Sequence, residues 1–135
     1  MAWIEPKTDW TEQDAFDYVA YNRVSGNIMF LKELADDLFR NLTELSLEIE
    51  KENLSLIYAR HMNDIEDGLD RLNAETYKKN IGDKKTYYPN KNVPDAYEYN
   101  RIENACLMIY EALQSHKSNL PRLAFRLGNQ KGIRV

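Results

Sequence analysis

A chain of 135 residues is one domain's worth of sequence, enough to bury about two-thirds of its unfolded surface. At 43% apolar and 30% charged, with few glycines and prolines, its composition excludes wholesale disorder, and a single cysteine, Cys106, excludes an internal disulfide. The net charge of −4 divides unevenly, −10 over residues 1–77 and +6 over 78–135, a split suited to head-to-tail contacts between neighbours or simply to uneven solvation.

The N-terminal arm, residues 1–16, is aromatic, with Trp3, Trp10 and Phe16 around Pro6. It lacks the basic and apolar regions of a signal peptide, and no apolar run approaches the ~20 residues that span a bilayer, so synthesis in a cytoplasm and no membrane partner are expected. Thr11-Glu-Gln-Asp14 resembles a capping box and predicts a helical turn near 11–16.

From Asp17 to about Arg40 the spacing of Val24, Ile28, Leu31, Ala35 and Leu38 predicts a helix, and Gly26 within it marks a close approach of a neighbour. Residues 41–50 alternate at Leu45, Leu47 and Ile49. Continuation into the next helix is the main expectation, and a half-buried strand the lesser one. A second helix is predicted from about Lys51 to Tyr77, with Leu54, Ile57, His61, Ile65, Gly68 and Leu72 on one face. A basic loop with turn signals at Gly82-Asp83 and Pro89-Asn90 covers 78–93. A third helix runs from about Pro94 to Lys117, with Pro94 as its first residue and a stripe of Ile102, Cys106, Ile109 and Leu113. The tail, 118–135, reads as extended, because Leu123, Phe125 and Leu127 alternate with Ala124 and Arg126. These three become candidate docking positions for strand addition to another subunit.

Tyr21-Asn22-Arg23 recurs as Tyr99-Asn100-Arg101, 78 residues later. The register extends to Asp17 with Asp95, Val24 with Ile102, Leu31 with Ile109 and Glu33 with Glu111, so the apolar stripes share one phase. We read this as an internal duplication of a helix start. Asp17 and Asp95 cap the two helices, and Tyr21, Asn22, Arg23, Tyr99, Asn100 and Arg101 form a structural latch at an interhelical junction. The expected fold is all-α: one domain of three main helices, with a core over 17–117 and an extended C-terminal tail.

The spacing Trp3-x-x-Pro6-Lys7-Thr8-Asp9-Trp10, then Asp14-x-Phe16, Tyr21-Asn22-Arg23-Val24 and Asn27-Ile28, resembles a pattern in small proteins of the tail and baseplate regions of phages and prophages of Gram-positive bacteria. That pattern reads approximately W-x-x-P-K-T-D-W-T-x-x-D-x-F-N-x-x-D-x-N-R-I-E-x-N-I. The resemblance is best over residues 3–31, and Leu123-x-Phe125-Arg126-Leu127-Gly128 is similar to the same proteins. The chain departs from the pattern at Asp17, Ala20 and Ser25-Gly26, while Glu103 restores the glutamate in the second copy. The resemblance implies a virion structural component, with other tail or baseplate proteins and copies of itself as partners, and brings no catalytic residue.

Chemical motifs give no competing expectation. His61, His116 and Cys106 do not form a metal set, and a calcium loop over 63–70 fails because Ile65 falls at its third, oxygen-donating position. Nucleophile elbows and phosphate loops are missing, so no enzyme and no cofactor are expected. The rival reading is a cytoplasmic helical adaptor that binds nucleic acid through loop 77–91, where Lys78, Lys79, Lys84, Lys85 and Lys91 interleave with Tyr77, Tyr87 and Tyr88.

Overall fold

The computed structural model describes residues 3–45, 47, 59–89 and 94–129, with side chains as far as Asn119. Three helices make the frame: α1 (Tyr18–Leu38), α2 (Ala59–Ala74) and α3 (Ala96–Asn129). No strand occurs among the described residues. The all-α expectation therefore holds.

Asp17 caps α1 by accepting from the Ala20 amide at 3.1 Å, and Asp95 caps α3 through the Glu98 amide at the same distance. Each satisfies one of the donors that a helix start leaves without an intrahelical partner. Pro94 lies before the second cap, not inside the helix as expected, because Asp95 supplies the hydrogen bond that sets the boundary. The anticipated helical turn at 11–16 reduces to one turn. There the Asp14 amide donates to the Thr11 carbonyl and the Asp14 carboxylate accepts from the Thr11 amide.

Two further expectations need correcting. The main expectation for 41–50, continuation into the second helix, fails over the described residues 41–45. Phe39 leaves the helix in an extended conformation, and Asn41 takes a positive φ of 61° that a helix cannot absorb. Residues 48–58, which hold the expected start of the second helix, lie outside the described residues. The C-terminal segment is also helical as far as Asn129, so the extended reading of 118–129, with Leu123, Phe125 and Leu127 as strand positions, is wrong. Three alternating residues are a weak signal, and the strong helix formers Leu, Arg and Ala dominate the segment. Pro121 forgoes one backbone bond but its fixed φ is helical.

All three helices run parallel. Tyr21 meets His61 and Phe39 meets Tyr77, so α1 and α2 advance together. Arg23 pairs with Glu103, Phe30 packs near Tyr110, and Phe39 meets His116, so α3 advances with them. A parallel bundle obliges the chain to return after each helix. The returning segments are extended straps laid antiparallel on the helices. The arm starts with Trp3 stacked on Tyr110 and ends with Phe16 stacked on Tyr99. After α1, Thr43 bonds to Glu75 and Leu45 lies over Gly68. After α2, residues 79–87 run back from Asn73 to Asn63.

The core follows from this register. Val24, Ile65 and Ile102 occupy equivalent positions on the three helices, as do Ile28, Leu69 and Cys106, and Leu31, Leu72 and Ile109. All nine are at most 3% exposed and belong to one apolar cluster. The repeat is thus threefold where the sequence suggested two copies. Asn63-Asp-Ile-Glu66 on α2 matches Asn100-Arg-Ile-Glu103 on α3, and Asn22-Arg-Val-Ser25 on α1.

Candidate functional site

An extended strap lying on helices must satisfy its backbone without a neighbouring strand. Here asparagine side chains do so. Asn100 accepts from the Trp10 amide at 2.8 Å and donates to the Trp10 carbonyl at 3.1 Å. Asn63 grips Tyr87 in the same way, at 2.7 and 2.8 Å. Asn27 holds Ile4 and Asn73 holds Lys79 by equivalent pairs. Each amide imitates one residue of a β-ladder, pairing a donor and an acceptor with a single backbone residue.

One turn beyond two of these asparagines stands a buried glutamate. Glu103, 1% exposed, receives four hydrogen bonds: from Arg23 Nε at 2.9 Å and Nη2 at 2.5 Å, Trp10 Nε1 at 2.7 Å and the Lys7 amide at 3.0 Å. Each oxygen takes two, so the carboxylate is saturated. The Arg23 guanidinium also lies 5.9 Å from the centre of the Trp10 ring. Glu66, 2% exposed, repeats the arrangement with Arg101, the Tyr87 hydroxyl at 2.7 Å and the Lys85 amide at 3.3 Å. Arg101 binds Glu98 with its Nε at 2.7 Å. In both sites an arginine from one parallel helix meets a glutamate on the next. An aromatic donor and a backbone amide come from the strap between them. The third junction, α1 with α2, has Ser25 in place of glutamate and Asp64 in place of arginine.

The electrostatics fit a closed, neutralised lock. Burial works against the Arg101 charge, but hydrogen bonds to Glu66 and Glu98 outweigh it and hold the guanidinium's pKa above its usual value. Burial and the Glu66 hydrogen bond push the Tyr87 phenol upward, so it remains a donor. The space beside Glu66 and Arg101 is about 10 Å³, room for at most one water. Cys106 is buried and its thiol is pushed up by burial, the opposite of an activated nucleophile. Among the described residues no three His, Cys, Asp or Glu side chains converge on a metal position, and no helix is long and apolar enough to cross a membrane.

The residues of the expected latch fall into distinct places. Asp17 and Asp95 are the caps described above. Tyr21 is fully buried against His61, and Tyr99 lies under Phe16 with ring centres 4.4 Å apart. Asn22 is partly exposed. Arg23, Asn100 and Arg101 belong to the two locks. Leu123, Phe125 and Leu127 lie on α3, and their side chains are outside the described residues. Sequence reasoning missed Glu66 and Asn63, although the Asn-x-Ile-Glu spacing on α2 and α3 was a usable signal. Asn27 entered only through the Asn27-Ile28 pair of the resemblance, and Asn73 was missed, since no spacing signal marks it.

In the lysine–tyrosine loop Lys78, Lys79, Lys84 and Lys85 are exposed, while the tyrosines divide. Tyr87 is 6% exposed, and the Tyr77 hydroxyl sits 2.8 Å from His116 Nδ1. Lys84 pairs with Asp67 at 2.8 Å, and Tyr88 is left exposed. Lys91 lies outside the described residues. An open groove of about 600 Å³ runs where α3 leaves the bundle, between Tyr77 and Lys79 on one side and Met108, Ala112, Ser115 and His116 on the other.

No protein-family model matches this chain, and neither a curated protein nor a solved structure matches it.

Proposed function

We propose that the chain is a non-enzymatic structural subunit of a phage tail, baseplate or related phage-like assembly, located in the virion and acting through contacts with other tail or baseplate proteins. The observation that carries this reading is the role of the residues behind the resemblance. Trp3 stacks on Tyr110, the Lys7 amide and Trp10 bind Glu103, Asp14 closes the turn at Thr11, and Asn27 grips Ile4. The pattern W-x-x-P-K-T-D-W with N-R and N-I is therefore a recipe for strapping an arm onto parallel helices. A scaffold of that kind spends its buried polar chemistry on rigidity, which suits a subunit held in place by its neighbours.

The rival, a nucleic-acid adaptor working through 77–91, needs exposed aromatic faces and free lysines. Burial of Tyr87 and the pairing of Lys84 with Asp67 weigh against it, although Lys78, Lys79, Lys85 and Tyr88 stay exposed. Mass spectrometry of gradient-purified particles from a host carrying this gene tests the choice. The chain should sediment with tail proteins at a fixed ratio. Recovery only from the soluble fraction, together with salt-sensitive retardation of DNA by the pure chain, would sink the structural reading.

A further inference from the structure

We infer that the N-terminal arm is exchangeable: residues 3–10 of one copy seat in the groove between α1 and α3 of a second copy, and the two copies trade arms reciprocally. The inference rests on the structural reading above and names a second copy of this chain as one partner for it.

The arm itself shows what the groove accepts. Asn27 on α1 holds the backbone of Ile4, and Asn100 and Glu103 on α3 hold the amides of Trp10 and Lys7. Trp3 stacks on Tyr110 with ring centres 4.0 Å apart, and Trp10 lies 5.1 Å from Tyr99. The nearest of the three polar partners is 23 residues away in sequence. The groove therefore recognises an extended segment by the positions of its donors, acceptors and rings, whichever copy supplies it. Exchange replaces each of these contacts with an identical one, so the arm binds equally well in either copy and only the linker and the new contact between copies change.

The linker is weakly built. Residues 11–15, between buried Trp10 and half-buried Phe16, are all exposed. Their reversal of the chain is closed by local bonds: the Asp14 amide donates to the Thr11 carbonyl, and the Thr11 amide donates to the Asp14 carboxylate. Lys7 Nζ stands 3.6 Å from the same carboxylate. Opening the reversal forfeits that one turn and no buried side chain. Straightened, five residues reach about 17 Å. An arm that lies antiparallel on α1 in its own copy then points away from the bundle, and it fits a receiving groove only when the second copy is inverted. The copies thus meet helix start to helix start about a two-fold axis. The first turns of α1 and α3 bring apolar surface to that face, with Val19 52% and Tyr97 71% exposed on Cα–Cβ bonds that tilt toward the helix start. Exposed Glu12, Asp17 and Asp95 stand at the same end, and their repulsion across the axis opposes exchange until salt screens it.

Sedimentation velocity and a mixing experiment on the full-length chain test this. The wild type should form a dimer whose share rises with protein concentration and with salt between about 0.1 and 1 M. Asp14→Ala, which frees the reversal at an exposed site, should raise the dimer association constant by about fivefold or more. Deleting Glu12 and Gln13 leaves a linker too short to reverse and should drive the chain wholly to dimers. Both tryptophans of the sequence lie on the arm, so 5-fluorotryptophan reports on it alone. A fluorinated chain is mixed with an excess of chain carrying a nitroxide at Asn104→Cys, an exposed position beside Glu103, while buried Cys106 stays unlabelled. The fluorine resonance of Trp3 should broaden, because exchange carries that ring onto α3 of the labelled copy. Contact between the helix starts without exchange leaves Trp3 remote from the nitroxide and its resonance sharp, and that result overturns the inference. So does a wild type that stays monomeric across the salt range, or a deletion variant that folds as a monomer. If the deletion variant loses helical circular dichroism, Asp14→Ala stands in its place, and no gain in dimer there overturns the inference. Such a failure is distinct from failure of the proposed function, whose test is presence in particles.

Discussion

The two glutamates at the centre of the fold are expensive to bury and depend on every partner. An arginine removed from such a pair leaves a desolvated carboxylate behind, a loss of roughly 3–5 kcal/mol when the site is fully enclosed. Arg101 and Glu66 are 8% and 2% exposed at their side chains, and Arg101 also serves Glu98. Arg23 is 16% exposed, and either glutamate keeps an aromatic donor and a strap amide when its arginine is lost, so the difference rests on burial and on Glu98. Arg101→Ala should therefore lower the urea midpoint more than Arg23→Ala, with both destabilising. Arg101→Lys should recover only part of the loss, because one ammonium cannot reproduce the fork that reaches two carboxylates. Equal, negligible effects of both alanine variants would mean that the locks contribute no stability. Asn100→Ala isolates a different term, two hydrogen bonds to the Trp10 backbone. About 1–3 kcal/mol is the expected cost of leaving those backbone groups partly buried and unpaired.

Helix phase was legible at the scale of elements, and strap position was not. The 4-3-4 stripes of α1 and α3 and their capping acids are local signals, and Asp17 and Asp95 stand at the starts that the sequence implied. Straps carry no periodicity of their own. Their conformation comes from side chains on the helices, Asn100 for the arm, Glu75 for residues 39–45, and Asn63 and Asn73 for 79–87, so the straps could not be read from their own residues. The parallel direction of the helices escaped for the same reason: it appears only once the returns are placed. Gly26 illustrates the limit in one residue. Its sequence position suggested a close neighbour, yet a Cβ there would meet nothing within 4 Å. Gly26→Ala should accordingly stabilise α1 by about 0.5–1 kcal/mol, through restricted backbone freedom alone. Gly82 is the opposite case, with φ at +86° and a virtual Cβ 2.6 Å from Arg101 Cδ. Gly82→Ala should destabilise, by strain and by displacing the arginine from Glu66, and thermal melts of the two glycine variants should move in opposite directions.

For the whole molecule, the buried phenols and thiol set an alkaline limit to stability. Tyr87 is raised by burial and by its bond to Glu66, Tyr99 is pushed up to about 12 by burial, and Tyr77 and Cys106 are raised by burial. Each group holds its proton more tightly folded than unfolded. The stability they contribute is complete below the unfolded pKa, about 8.5 for cysteine and 10 for tyrosine, and is lost as pH rises above those values. The unfolded chain sheds protons that the folded chain keeps, and each such group costs about 1.4 kcal/mol per pH unit in that window. The denaturation midpoint should therefore begin to fall above pH 9 and fall faster beyond pH 10. Tyr87→Phe should begin lower at neutral pH, because Glu66 loses a donor, yet decline less steeply above pH 10, because one titrating group is gone. Parallel curves for wild type and variant would show that the Tyr87 proton is not held by the fold. Convergence of the two curves at high pH would identify the strap carrying Tyr87 as the part of the bundle that alkali releases first.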